Sequence, residues 1–126
     1  MSLVAVVGIA AAGALGAPAR YLLDGFVQDR ARGSFPWGTL VVNVVGSFLL
    51  GVLTGLTVHH GLHGAPRLWF TTGLCGAFTT FSTFTWETVR LVEEGEWRVA
   101  AANVAGSLVA GLAAAATGMS LVYVVG

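Results

Sequence analysis

The chain has 126 residues, 56% hydrophobic and only 10% charged, with a formal net charge of zero and a mean hydropathy of +0.81. Soluble domains carry about a quarter charged residues, so this balance excludes an ordinary soluble protein. Six arginines set against six acids likewise exclude a nucleic-acid-binding or polybasic lipid-binding face.

Four apolar runs approach the ~20 residues that cross a bilayer core: about 3–23, 38–58, 68–91 and 98–125. The reading is an all-α integral membrane protein, one transmembrane domain over 1–126. The connections hold most of the charge together with Pro36 and Pro66, so any chemistry belongs inside the membrane. The first run has no basic residue ahead of it and outlasts a signal-peptide core, so it is read as a helix of the mature protein. Gly8, Ala12 and Gly16 stand at four-residue steps along it. Small residues at that spacing let membrane helices approach closely where lipid supplies no hydrophobic drive.

The second run carries Gly51 and Gly55, a further GxxxG, and the segment "NVVGS" at 43–47. An amide in hydrocarbon costs a few kcal/mol unless it is hydrogen-bonded, so Asn43 must face protein or water. Interhelical glue is one use for it, and a donor lining a path is the other. The connection that follows contains His59, His60 and His63. With no carboxylate beside them, these read as a solvated loop rather than a metal or enzyme site.

The third run contains "GLCGAFTTFSTFTWE" at 73–87. Gly73 and Gly76 each lower helix propensity by about 1 kcal/mol relative to Ala, and hydroxyls in the following stretch compete for backbone carbonyls. The helix is expected to break near 76–80, the alternative being an unbroken helix whose hydroxyls bond one turn back. A break at membrane depth frees backbone groups that must meet protein, a cavity or an ion, and freed carbonyls suit small cations. Phe81 and Phe84 share a face three residues apart, interleaved with Thr80, Ser82, Thr83 and Thr85. A ring edge is electron-poor, so an anion passing it beside neutral donors meets partial positive charge without a trapping cation. Cys75 has no pairing partner in the chain and reads as a small core residue.

The fourth run repeats the second with "NVAGS" at 103–107, placing Asn103 and Ser107 one turn apart, and Ser107 and Gly111 continue the small-residue stripe. Helices two and four cross in the same direction, so an inverted repeat would need a second, oppositely inserted subunit. Four short helices leave little room for an aqueous path, which makes an oligomer the default. Arg20, Arg30, Arg32, Arg90 and Arg98 fall on the side of the first and third connections and Arg67 on the other. Arginine bias sets those connections in the cytoplasm and both termini outside.

The segments "GALGAPARY" (13–21), "GTLVVNVVGSFLLG" (38–51) and "GLCGAFTTFSTFTWE" (73–87) together resemble the Fluc/CrcB family of fluoride channels over essentially the whole chain. That resemblance implies a passive fluoride-selective channel of the bacterial inner membrane, and no enzyme. It implies an antiparallel, dual-topology dimer with two pores at the subunit interface. By the same resemblance Phe81, Phe84, Asn43, Thr80 and Ser107 line the fluoride path, and the backbone carbonyls of Gly76 and Thr79 hold a structural Na⁺. Arg20 lies at a vestibule and Glu87 near the pore. Ala77 stands where many members have a glycine, a small change. The arginine bias is unusual for a chain that inserts both ways, and it keeps a heterodimer with an oppositely oriented homologue open beside the homodimer.

The competing class is a small dual-topology multidrug or cation exporter. Proton-coupled export wants an acid at mid-membrane; the first run has none, and Glu87 lies toward the end of the third. A cation-conducting filter needs several stacked carbonyl rings, and one short break supplies too few. A purely structural protein leaves the polar wall unexplained.

Overall fold

The computed structural model describes residues 2–125. Helix α1 (Leu3–Arg30) starts where the Ser2 hydroxyl accepts the Ala5 N–H at 3.1 Å, satisfying one of the orphan donors of a first turn. It continues past the apolar run at residue 23, ending with a charged turn in which Arg30 Nη1 donates to the Phe26 carbonyl at 3.0 Å. Helix α2 (Trp37–His60) stops at Gly61, whose φ of 69° is the left-handed conformation glycine adopts without steric cost.

The third passage is not one rod. It runs as α3 (Gly64–Leu68), a π-helical stretch Trp69–Cys75, one short turn α4 (Gly76–Phe78), a break, and α5 (Ser82–Glu93). The chain turns at Thr79, whose ψ of 158° is extended. A tight turn with Gly95 at φ 81° then leads into α6 (Trp97–Val125). Helices α1, α2 and α6 are each long and apolar enough to cross a membrane. With the bent third passage they form an all-helical, multi-pass membrane protein.

Close backbone approach explains several of the glycines. A methyl group at Gly51 would run into the Ala115 backbone, and one at Gly118 into the Phe48 carbonyl, so α2 and α6 touch nearly main chain to main chain. The π stretch lies on α1 in the same way: a Cβ at Gly73 would stand 2.7 Å from the Ile9 carbonyl oxygen. Trp69 seats its indole in the notch left by Gly8, with Nε1 buried and unpartnered. Helix α5 packs on α6. The buried core is small, comprising Ala5, Val42, Cys75, Phe78, Leu91, Ala100 and Val122, whereas Leu15, Val109, Leu112 and Val124 point outward as a lipid-facing surface would. Cys75 is a core thiol.

Candidate functional site

At the break, a side chain on another helix takes up the backbone's hydrogen bonds. Asn43 of α2 donates from Nδ2 to the Thr80 carbonyl and accepts the Thr80 N–H on Oδ1, both at 2.9 Å. In a continuous helix that N–H would bond the Gly76 carbonyl. One turn on, the Thr83 N–H goes to Thr80 Oγ1 at 3.1 Å instead of to the Thr79 carbonyl, so Thr80 caps the start of α5. The helical donors of the Gly76 and Thr79 carbonyls are therefore both spent elsewhere. Carbonyl oxygens freed in this way are hard ligands, which fits a hard monovalent cation such as sodium.

The expected break is present and the unbroken helix is not, although the one-turn hydroxyl bonds of that alternative do form. The chain breaks at Thr79–Phe81, and several hydroxyls also bond one turn back: Thr79 to Cys75 at 2.9 Å, Thr85 to Phe81 at 2.9 Å and Thr88 to Phe84 at 2.8 Å.

Around the break lies an open groove of about 520 Å³. Asn43, Gly76, Thr79, Thr80, Phe81, Phe84 and Ser107 all line it, with Ser47 beside them and Leu50, Val104 and Leu108 as apolar wall. The two phenyl rings stand 6.1 Å apart, tilted by 41°. Phe81 is 79% exposed within the single chain, so its ring is presented rather than packed. Asn43 has a second amide proton beyond the one given to Thr80, and Ser107 a rotatable hydroxyl. The groove is thus largely apolar, with a few neutral donors and two rings along it.

A scan of family models matches residues 7–119 to the "CrcB-like protein, Camphor Resistance (CrcB)" family. The chain belongs to the CrcB-like family. Curated relatives of this CrcB-like chain include "Fluoride-specific ion channel FluC 1" of Frankia casuarinae, 48% identical over 122 residues, 90% of this chain and 92% of that one. The protein named "Fluoride-specific ion channel FluC" in Nitrobacter winogradskyi is 43% identical over 121 residues, 95% of this chain and 96% of that one. Its namesake in Opitutus terrae is 50% identical over 104 residues, 80% and 79% of the two chains.

Arg20 and Glu87 lie off the groove in this CrcB-like chain. Arg20 lines a smaller pocket with Asp24, Thr39 and Thr83, and Thr80 forms a wall of both that pocket and the groove. Glu87 accepts a 2.6 Å hydrogen bond from Thr39 Oγ1 and faces a third pocket with Gln28, Ser34 and Arg90. A polar track therefore runs from the groove through Thr80 and Thr39 to Glu87.

Thr39 escaped the sequence reading, although its place four residues before Asn43 puts both on one face of α2; it is 2% exposed. Asn103 serves as an interhelical brace. It is fully buried, donates to Thr88 Oγ1 at 2.9 Å, and lies 3.4 Å from Ser107 Oγ. The repeated Asn thus has a common use: Asn43 holds the start of α5 and Asn103 its middle. The histidines lie apart from all this, with His59 edge-on to Tyr123 at 3.7 Å and His63 against the Gly61 carbonyl. Among the described residues, no three His, Cys, Asp or Glu side chains converge as metal ligands would.

Proposed function

We propose that this CrcB-like chain is a passive fluoride-selective channel, not an enzyme, which releases cytoplasmic fluoride across the bacterial inner membrane. The observation that carries the reading is the groove: Asn43, Thr80, Phe81, Phe84 and Ser107 converge beside a helix break in a chain whose relatives are named fluoride-specific ion channels. Fluoride is small and strongly hydrated, so a path through oil must replace its water with donors without binding it too tightly. Neutral amide and hydroxyl donors, with electron-poor ring edges beside them, supply that intermediate attraction. Fluoride that enters as HF ionises inside and is trapped, so a leak driven by membrane potential suffices and no coupling ion or nucleotide is required.

The working unit is an antiparallel dimer of two copies of this chain, with membrane lipid around it and two pores at the interface. Exposed Gly76 and freed carbonyls on an open face support this, because unsatisfied backbone at membrane depth needs protein against it. The Gly76 and Thr79 carbonyls of both subunits would hold sodium, whose positive charge ties the two breaks together when bound. Arg20 sits toward a vestibule, where a cation raises the local anion concentration. Glu87, held by Thr39, shapes the opposite end of the polar track.

The test is fluoride efflux from liposomes holding the purified protein, with a K⁺ ionophore relieving charge build-up and chloride as the control. Fluoride release without chloride release is expected. Equal release of both, or of neither, contradicts the proposal.

A further inference from the structure

We infer that Asn43, beyond lining the groove, is the positioning residue that creates the cation site, by withholding from the Gly76 carbonyl the backbone donor that would otherwise consume it. The inference rests on the sodium reading above and adds a cause for it. The Thr80 N–H has two possible acceptors: the Gly76 carbonyl one turn back, or Asn43 Oδ1 on the neighbouring helix. It takes the second at 2.9 Å, and Asn43 Nδ2 returns the bond to the Thr80 carbonyl at 2.9 Å. The side-chain amide thereby pairs with a residue's backbone as a neighbouring strand would. Thr80 is buried, so neither group turns freely to bulk water instead. Remove the amide, and the nearest remaining partner for the Thr80 N–H is the Gly76 carbonyl, reached by rotating Thr79 from its extended ψ of 158° into the helical range.

Gly46 leaves room for the extended form. A methyl at that position would strike Thr79 Cγ2, so α2 contributes both the clamp and, one turn along, the notch in which the turning residue sits. Asn43 is thus placed to couple the ion path to the cation: the same side chain that faces the groove decides whether the Gly76 oxygen is free.

The experiment measures ²²Na⁺ binding to purified protein by scintillation proximity, in buffer whose other cation is N-methyl-D-glucamine. Wild type, Asn43→Ala and Asn103→Ala are compared, the last removing a buried amide that bonds Thr88 and not the break. Wild type is expected to bind sodium, Asn43→Ala to bind it about tenfold more weakly, in keeping with a regained backbone hydrogen bond, and Asn103→Ala to stay within about twofold of wild type. Sodium binding by Asn43→Ala equal to wild type, or an equal loss in Asn103→Ala, overturns the inference while leaving the cation site standing. No sodium binding by wild type overturns both.

Should Asn43→Ala fail to assemble, Asn43→Asp decides. Protonated or ionised, its carboxyl still accepts the Thr80 N–H and so still withholds that donor from the Gly76 carbonyl. Sodium binding by Asn43→Asp should therefore stay within about twofold of wild type, or exceed it. Binding about tenfold weaker than wild type, with the acceptor kept, overturns the inference.

Discussion

Removing the Thr39 hydroxyl tests the polar track at the point where two pockets meet. Thr39→Val keeps the side-chain shape and deletes one donor, the one that reaches Glu87 Oε1 at 2.6 Å. Hydrogen bonds of this kind contribute about 0.5–1.5 kcal/mol when neutral and about 1.5–3 kcal/mol when charged. Thr39 is buried, but Glu87 is only half-buried and faces a pocket that water can reach, which offsets part of the loss. Arg90 does not replace the lost donor at full strength, since its Nε already lies 3.8 Å from Glu94. The expected destabilisation is therefore about 1–2 kcal/mol. It should be read by unfolding in mixed micelles with SDS, followed by tryptophan fluorescence. A double-mutant cycle with Glu87→Ala should return most of that energy as coupling between the two positions. Coupling below about 0.3 kcal/mol, the ordinary scatter between independent sites, would refute the Thr39–Glu87 bond and with it the continuity of the track.

The remaining predictions concern the rings, the packing and the ion. Phe81→Ile should abolish fluoride efflux while leaving thermal unfolding of the purified protein unchanged, because a ring 79% exposed in the single chain contributes little to its fold; unchanged flux would remove the ring-edge mechanism. Gly51→Val should cost about 1–3 kcal/mol or more through overpacking against the Ala115 backbone. Gly25→Ala, where a Cβ meets open space within α1, should instead stabilise by about 0.5–1 kcal/mol, and equal effects at the two glycines would contradict the packing described. Purification with N-methyl-D-glucamine in place of sodium should depress fluoride efflux, and sodium should restore it. Full activity throughout the exchange would count against the carbonyl site.

The helical passages were legible because apolar runs of membrane length leave little else to assign. The break was legible from glycine and hydroxyl content, but not its cause. That an Asn43 at membrane depth needs partners follows from its chemistry, whereas the partner, a backbone 37 residues away, depends on how α2 lies against the third passage. The π-helical stretch left no sign in "WFTTGLC", since its register is set by contacts such as the Trp69 indole over Gly8 rather than by local propensity. Thr39 was findable from its four-residue offset to Asn43. Its bond to Glu87 was not, because those residues lie on separate helices. The small-residue spacing told the truth about close packing without naming the pairs: Gly51 meets Ala115, and Gly16 meets the Leu74 carbonyl.

Passive, selective conduction is tested most directly by the reversal potential in a planar bilayer, with a tenfold fluoride gradient, equal chloride on both sides and a separately imposed pH difference. The account predicts a reversal displaced from zero by about 59 mV, the Nernst value for a monovalent ion, and indifferent to the pH difference. A reversal near zero, or one that follows the proton gradient, would contradict it.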